Sequence, residues 1–310
     1  MALTVLAPPR AGNATLCGVS RAVVAAYLAC ALIWGTTWYA IRVCIGDGGY
    51  GTFDALFLRF AIAVVILAPL VIRARPWPRG RQWIYLVIAG VLDAGAYVLV
   101  YLGEERVPGA VAAVLYGTQP LILAALLRTT GMEAITRRHI LGAVVSLAGV
   151  AVLFLDRLDV SMQQAVGVAL VIGSVVIATV YSMVMKRQAV GIHGVVSTTI
   201  FLAVTATVLG VIALGSGEQL PDPLPLEPTL ALLYLAVIGS VIAFLSYFWL
   251  LGRTSLLVTS TLVFVYPLVA ILTDALFEKN VPLSGRAYLG VAITLGGLAV
   301  SLRRSAPTGR

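Results

Sequence analysis

Residues Leu141–Val152 read LGAVVSLAGVAV, and residues Leu289–Val300 read LGVAITLGGLAV. Six of the twelve aligned positions are identical. Apolar segments match by chance easily, but two further matches follow in the same order and at nearly the same offset. Tyr85, Leu86 and Gly90 pair with Tyr234, Leu235 and Gly239, and Pro120 pairs with Pro267. The chain therefore reads as two related halves. Each half holds five apolar runs, and an odd number of spans reverses a repeat's direction through a bilayer. The second half is thus expected to be an inverted copy of the first. Inverted repeats are typical of secondary transporters, with the substrate near midplane where the halves meet.

The bilayer itself follows from composition. Of 310 residues, 60% are hydrophobic and 11% charged, with a mean hydropathy of +1.02. Soluble domains carry about 25% charged residues, so this apolar surface needs a lipid solvent. A spanning helix needs about 20 mostly apolar residues. Ten runs approach that length: Arg21–Ile41, Phe53–Ile72, Trp83–Leu102, Pro108–Leu127, His139–Leu155, Val166–Met185, Val195–Leu214, Leu230–Leu251, Leu256–Phe277 and Leu283–Leu302. The fold class expected is an all-α membrane protein with ten transmembrane helices in two inverted five-helix repeats. Residues 21–155 form the first repeat and 156–302 the second, between tails 1–20 and 303–310.

Basic residues favour the cytoplasmic side of a membrane protein. The tails and the even-numbered connections hold fifteen Lys and Arg, among them Arg73, Arg75, Arg79, Arg81, Arg137, Arg138, Lys186 and Arg187. The opposite side holds six: Arg42, Arg59, Arg106, Arg157, Lys279 and Arg286. Both termini are expected in the cytoplasm, and Glu218–Pro228 reads as a Pro-rich external loop. Arg outnumbers Lys nineteen to two, which with abundant Ala and Val points to a GC-rich bacterial genome and an inner, plasma membrane.

The net charge of +8 comes mostly from Arg at the ends of apolar runs. That is a topology signal rather than a nucleic-acid groove, so no nucleic acid is expected. Cys17, Cys30 and Cys44 lack metal-ligand spacing. The first 20 residues lack the apolar core of a cleavable leader, so the first run is expected to be retained. His139 and His193 form no HExxH or Cys-His group, and no Gly-rich phosphate loop is present. Neither catalysis nor a cofactor or metal is expected.

Trp34–Arg42, WGTTWYAIR, resembles the opening motif of the EamA-type transporters of the drug/metabolite transporter superfamily. Leu58–Phe60, LRF, is similar to that family's Arg-Phe pair. Gln119-Pro120 and Tyr266-Pro267 resemble its Pro-containing fourth and ninth helices, and Glu133, nine residues before Gly142, resembles its Glu-then-Gly pattern. The resemblance runs from Val23 to Leu302. It implies a ten-helix bundle around a central cavity, exporting or exchanging small metabolites. Glu278 departs from it, standing twelve residues before Gly290. Asp93 belongs to no motif of the family.

Asp93 interrupts the run WIYLVIAGVLDAGAYVLVYL near its middle. A charge at the bilayer centre costs about 2.5–3.5 kcal/mol on insertion scales, so it faces a cavity or a partner. At a rise of about 1.5 Å per residue, Arg59 and Asp93 lie roughly 9 Å and 14 Å from the external ends of their helices. Asp93 reads as a proton carrier, a counter-charge for a cationic substrate, or an ion-pair partner of Arg59. The competing reading keeps Asp93 protonated and hydrogen-bonded to a neighbouring helix while Arg59 snorkels outward.

Around this pair, Trp34, Thr37, Trp38, Tyr97, Tyr116, Gln119, Tyr181, Phe244, Tyr247 and Phe264 are candidate substrate-binding residues. Aromatic walls with a few polar groups suit a pocket for apolar or cationic small molecules. Any one ring also fits plain helix packing. The chain therefore reads as a secondary transporter of a small organic metabolite, amino acid or drug-like compound. The alternative is a non-transporting membrane component, such as a lipid-handling or assembly subunit. The expected partners are a small-molecule substrate and the lipid bilayer, with a homodimer left open.

Overall fold

The computed structural model describes residues 15–16, 19–104, 106–107, 109–153, 165–277 and 285–302. Over these the chain is helical, apart from a two-residue antiparallel strand pair, β1 (Thr15–Leu16) and β2 (Val19–Ser20), leading into the first helix. Long helices are α1 (Arg21–Ile45), α2 (Thr52–Arg73), α3 (Gln82–Glu104), α7 (Ala165–Gln188) and α8 (Gly194–Ser216). A sixth long segment joins α9 (Leu226–Ala236), a π-helical turn (Val237–Ile242) and α10 (Ala243–Arg253) without a break. All six are long and apolar enough to cross a bilayer.

The remaining apolar runs fall on shorter helices: α4 (Gly109–Tyr116), α5 (Gln119–Thr130), α6 (Arg137–Leu153), α11 (Leu256–Ser260), α12 (Leu262–Phe277) and α13 (Gly285–Leu302). The fourth run breaks between α4 and α5, where Thr118 Oγ1 donates to Leu115 O at 2.6 Å. Pro120 lies in the first turn of α5, where a missing N–H costs nothing. Its match, Pro267, sits inside α12 instead. The ninth run breaks earlier, at Thr261, whose hydroxyl meets Tyr27 at 2.9 Å. The two matched prolines thus end in different local structures.

The two repeated segments pack against each other. Gly142 of α6 lies against Gly297 and Ser301 of α13, and Gly149 lies against Gly290 and Thr294. The numbers run in opposite directions, so α6 and α13 are antiparallel. Their glycines bring the backbones together, and Ser146 Oγ donates to Thr294 O at 3.1 Å across the seam. A Cβ on Gly149 would come within 2.5 Å of the Thr294 amide nitrogen. Gly149→Val is therefore expected to cost about 1–3 kcal/mol as overpacking, read as a lower thermal midpoint in detergent. Val65, Ile72, Val211 and Leu214 stand exposed on the outside, as a lipid-facing surface requires.

The turn between α10 and α11 is clamped by two charged side chains from elsewhere in the chain. Glu133 accepts from Leu256 N at 2.8 Å and Leu257 N at 3.4 Å. Lys186 donates to Leu251 O and Thr254 O. The carboxylate meets the amides at a helix start and the ammonium meets carbonyls at a helix end, as the helix dipole favours. Glu133→Ala is expected to lose about 0.5–2 kcal/mol, the worth of a helix cap, with Glu133→Gln in between. Chemical unfolding in micelles measures both. At the other bundle end, Glu218 Oε2 accepts from Phe53 N and Asp54 N at the start of α2.

Candidate functional site

A cavity of about 150 Å³ lies inside the bundle, walled by α1, α2, α3, α4, α5, α7, α10, α11 and α12. From α1, Trp34, Thr37 and Trp38 face it, three and four residues apart on one helix side. From α3, Asp93, Tyr97 and Tyr101 recur every fourth residue and form a second wall. Tyr116 and Gln119 reach it from the two ends of the α4–α5 break. Tyr181, Phe244 and Tyr247 complete the set. Of the residues singled out in the sequence, Phe264 alone is not on the lining. It is fully buried in a core with Ala143, Val150, Val263 and Leu268.

Tyr266, two residues on, faces the cavity instead. The pattern of α12 gave no means of choosing between the two rings, because that helix is apolar on every side. Trp34 is the hub of one wall. Its ring centroid lies 5.6 Å from Phe244, 5.2 Å from Tyr247 and 5.7 Å from Tyr266, with tilted or edge-on planes. Such pairs are each worth about 0.5–1.5 kcal/mol beyond their area. Trp38 meets Tyr116 edge-on at 6.3 Å. Polar tethers hold the tyrosines: Tyr247 OH donates to Ser182 Oγ at 2.9 Å, and Tyr116 OH meets Ser174 Oγ at 2.7 Å.

Ser174 and Ser182 were not among the candidates from the sequence. With Ala178 they stand four residues apart on α7, and that spacing is the signal that marks one small, polar helix face. Thr37 and Tyr39 of the first half match Thr179 and Tyr181 of the second in type and spacing, but the four do not form a shared site. Thr37 and Tyr181 line the cavity, while Tyr39 stacks on Phe277 at 5.4 Å. The hydroxyl of Thr179 is bonded within its own helix, to Val175 O at 2.7 Å.

Arg59 does not snorkel outward. It is 2% exposed, and it points into the bundle. Its Nε donates to Ser240 Oγ at 2.9 Å and its Nη2 to Gly239 O at 3.2 Å. Both acceptors belong to the π-helical turn, and Ser240 Oγ donates in turn to Leu235 O at 3.0 Å. The guanidinium also lies over the rings of Phe60 and Tyr97, at 5.2 and 5.4 Å. Asp93 is 1% exposed and its Oδ2 sits 3.0 Å from Thr205 Oγ1. Arg59 and Asp93 share the cavity but form no direct ion pair, because the guanidinium is engaged by the opposite helix. The π-helical turn, not the carboxyl, holds the guanidinium.

Among the described residues no three His, Cys, Asp or Glu side chains gather as a metal site. What the cavity offers is aromatic surface, one buried guanidinium, one carboxyl and several hydroxyls. Such a set is chemically suited to an organic molecule held by weak, reversible contacts.

Comparison with known proteins places this geometry. The model of the EamA-like transporter family matches residues 21–155 and 165–303. The chain is 28% identical over 245 residues to the "Uncharacterized inner membrane transporter YedA" of Escherichia coli K12, covering 78% of each chain. It is 27% identical over 303 residues to the "Probable terminal-alkyne amino-acid exporter" of Streptantibioticus cattleyicolor, covering 93% of this chain and 95% of that one. A third relative, "Protein PecM" of Dickeya dadantii, is 28% identical over 270 residues. One crystal structure superposes with a TM-score of 0.72 over 90% of this chain and 96% of that one, at 23% identity, which shows the fold.

Proposed function

We propose, for a chain that belongs to the EamA-like transporter family, secondary active transport of a small organic molecule by alternating access. It is a multi-pass membrane protein, built on six long apolar helices and several shorter ones. The reading rests on one observation above all: the bundle carries a mid-helix cavity that joins aromatic walls to a buried guanidinium and a carboxyl. An amino acid fits that chemistry, with apolar parts against the rings and charged ends near Arg59 and Asp93. A relative named as an amino-acid exporter supports the class and the export direction.

The mechanism goes with a reading of the chain as ten spans in two inverted halves, which the helix contacts support. Equivalent residues meet at the α6–α13 seam: Gly149 against Gly290 and Thr294, and Gly297 against Gly142 and Ser146. Exchanging the halves turns one set of contacts into the other. The same exchange maps the α3–α7 packing onto that of α1 with α9 and α10, and α1–α12 onto α7 with α4 and α5. Two such halves rock about the shared seam and open the cavity alternately. The charge bias supports cytoplasmic termini, and a relative named as an inner membrane transporter supports a bacterial inner membrane as the site.

The test is uptake of radiolabelled amino acids into proteoliposomes, with and without an imposed pH gradient. Saturable uptake above protein-free vesicles is expected for at least one apolar or aromatic amino acid. If none is moved, and single cysteines at Thr37 and Gln119 stay sealed from aqueous reagents on both sides, the transporter reading fails. The chain would then be a non-transporting membrane component.

A further inference from the structure

Thr205 of α8 sits where three acceptors converge. Its Oγ1 lies 3.0 Å from Asp93 Oδ2, 3.2 Å from Gly90 O and 3.0 Å from Phe201 O. A threonine hydroxyl has one hydrogen to give and two lone pairs to receive. It cannot satisfy three acceptors at once. A proton on Asp93 resolves the crowding, because the carboxyl O–H then donates to Thr205 and frees the threonine hydrogen for a carbonyl.

The repeat explains why this place matters. Thr205 stands 146 residues after Arg59, between the offsets of 142 for Thr37 and Thr179 and 149 for Gly90 and Gly239. Arg59 donates to Gly239 O, and Thr205 lies at the same kind of bond from Gly90 O. Each half thus sends a donor from its second helix to the matching glycine carbonyl in the other half. The Arg59 tie is always charged and carries donors to spare. The Thr205 tie has one hydrogen, and a titratable carboxyl competes for it.

We propose that Thr205 is a positioning residue whose single hydroxyl hydrogen reports the proton on Asp93 to the contact between α3 and α8. When Asp93 is protonated at Oδ2, its O–H donates to Thr205 Oγ1, and Thr205 donates to Gly90 O across the two helices. When the proton leaves through the cavity, Thr205 turns its hydrogen to the carboxylate and releases Gly90 O. The only covalent bond that changes is the O–H of Asp93, whose proton passes to a water molecule entering the cavity and returns the same way, while the hydrogen bonds of Thr205 exchange. The contact is well placed to feel the exchange, since a Cβ on Gly90 would lie 2.7 Å from Phe201 O. The other charged and titratable groups near Asp93 are Arg59 from α2, Tyr97 on α3 and Tyr181 from α7. Arg59 is held by Ser240 and Gly239, which leaves Thr205 as the direct partner of the carboxyl.

The inference rests on the transport reading for its use, but its test needs no substrate. Infrared difference spectra of the full chain in lipid, taken across pH, should show a protonated carboxyl band that Asp93→Asn abolishes. In Thr205→Val, which keeps the side-chain shape, that band should move to higher wavenumber with a displaced titration midpoint. Thr205→Ser should restore the original band and midpoint. Hydrogen–deuterium exchange across residues 86–97 and 198–208, corrected for its intrinsic pH dependence, should vary with pH in the parent protein and lose that variation in Asp93→Asn and Thr205→Val. A carboxyl band that Thr205→Val leaves unmoved, or an Asp93 that never changes protonation, overturns the proposal. An intact infrared response in a protein that moves no amino acid and keeps cysteines at Thr37 and Gln119 sealed would defeat the transport reading and leave this one standing.

Discussion

Proteoliposomes bearing Asp93→Asn are expected to equilibrate substrate without responding to a pH gradient. A gradient of one pH unit stores about 1.4 kcal/mol per proton, enough for roughly tenfold accumulation when one proton is exchanged per substrate. The parent protein should approach that ratio. Asparagine keeps the shape and can still meet Thr205, but it has no proton to release, so accumulation should fall to about the equilibrium ratio. Insertion into the membrane and pH-independent equilibration of substrate should persist, which separates this outcome from misfolding. Gradient-driven accumulation that survives the substitution would remove Asp93 as the proton carrier. The carboxyl would then serve only as a structural partner of α8.

Arg59→Met should produce the largest loss of stability. The guanidinium makes two hydrogen bonds to the π-helical turn, through Nε to Ser240 and Nη2 to Gly239. Bonds to charged groups are worth about 1.5–3 kcal/mol each, and relief of the buried charge offsets part of that, leaving a net cost of about 2–4 kcal/mol. Arg59→Lys should lie between, since an ammonium keeps the charge but cannot reproduce the planar fork. Unfolding in mixed micelles gives the ranking directly. If Arg59→Met unfolds at the same denaturant concentration as the parent, Arg59 is not what holds the π-helical turn.

How much of this was legible in the sequence depends on which property carried the signal. The bilayer, the helical class and the two-fold repeat were legible, because burying a hydrogen-bonded backbone in lipid demands long apolar runs and duplication leaves matching residues. The glycines of LGAVVSLAGVAV and LGVAITLGGLAV became a contact for the same reason: only residues without a side chain let two helices meet there. Helix faces were legible on α1, where Trp34, Thr37 and Trp38 share a side, and on α3, where Asp93 and Tyr97 are one turn apart.

Other features required the tertiary structure. On α12 the choice between Phe264 and Tyr266 had no periodic signal, since a helix apolar all round does not say which way it faces. The inward turn of Arg59 depended on a π-helical segment 180 residues away, where Gly239 O and Ser240 Oγ accept from the guanidinium. Thr205 was invisible for a similar reason. One hydroxyl among many in apolar helices becomes distinctive only when packing puts three acceptors around its single hydrogen. By itself the sequence determined the solvent and the helical class, since these follow from the summed apolarity and order of residues along the chain. Which side chains share the cavity, and which partner each polar group finds, the tertiary structure decided, because hydrogen bonds act over about 3 Å and only packing fixes distances that short.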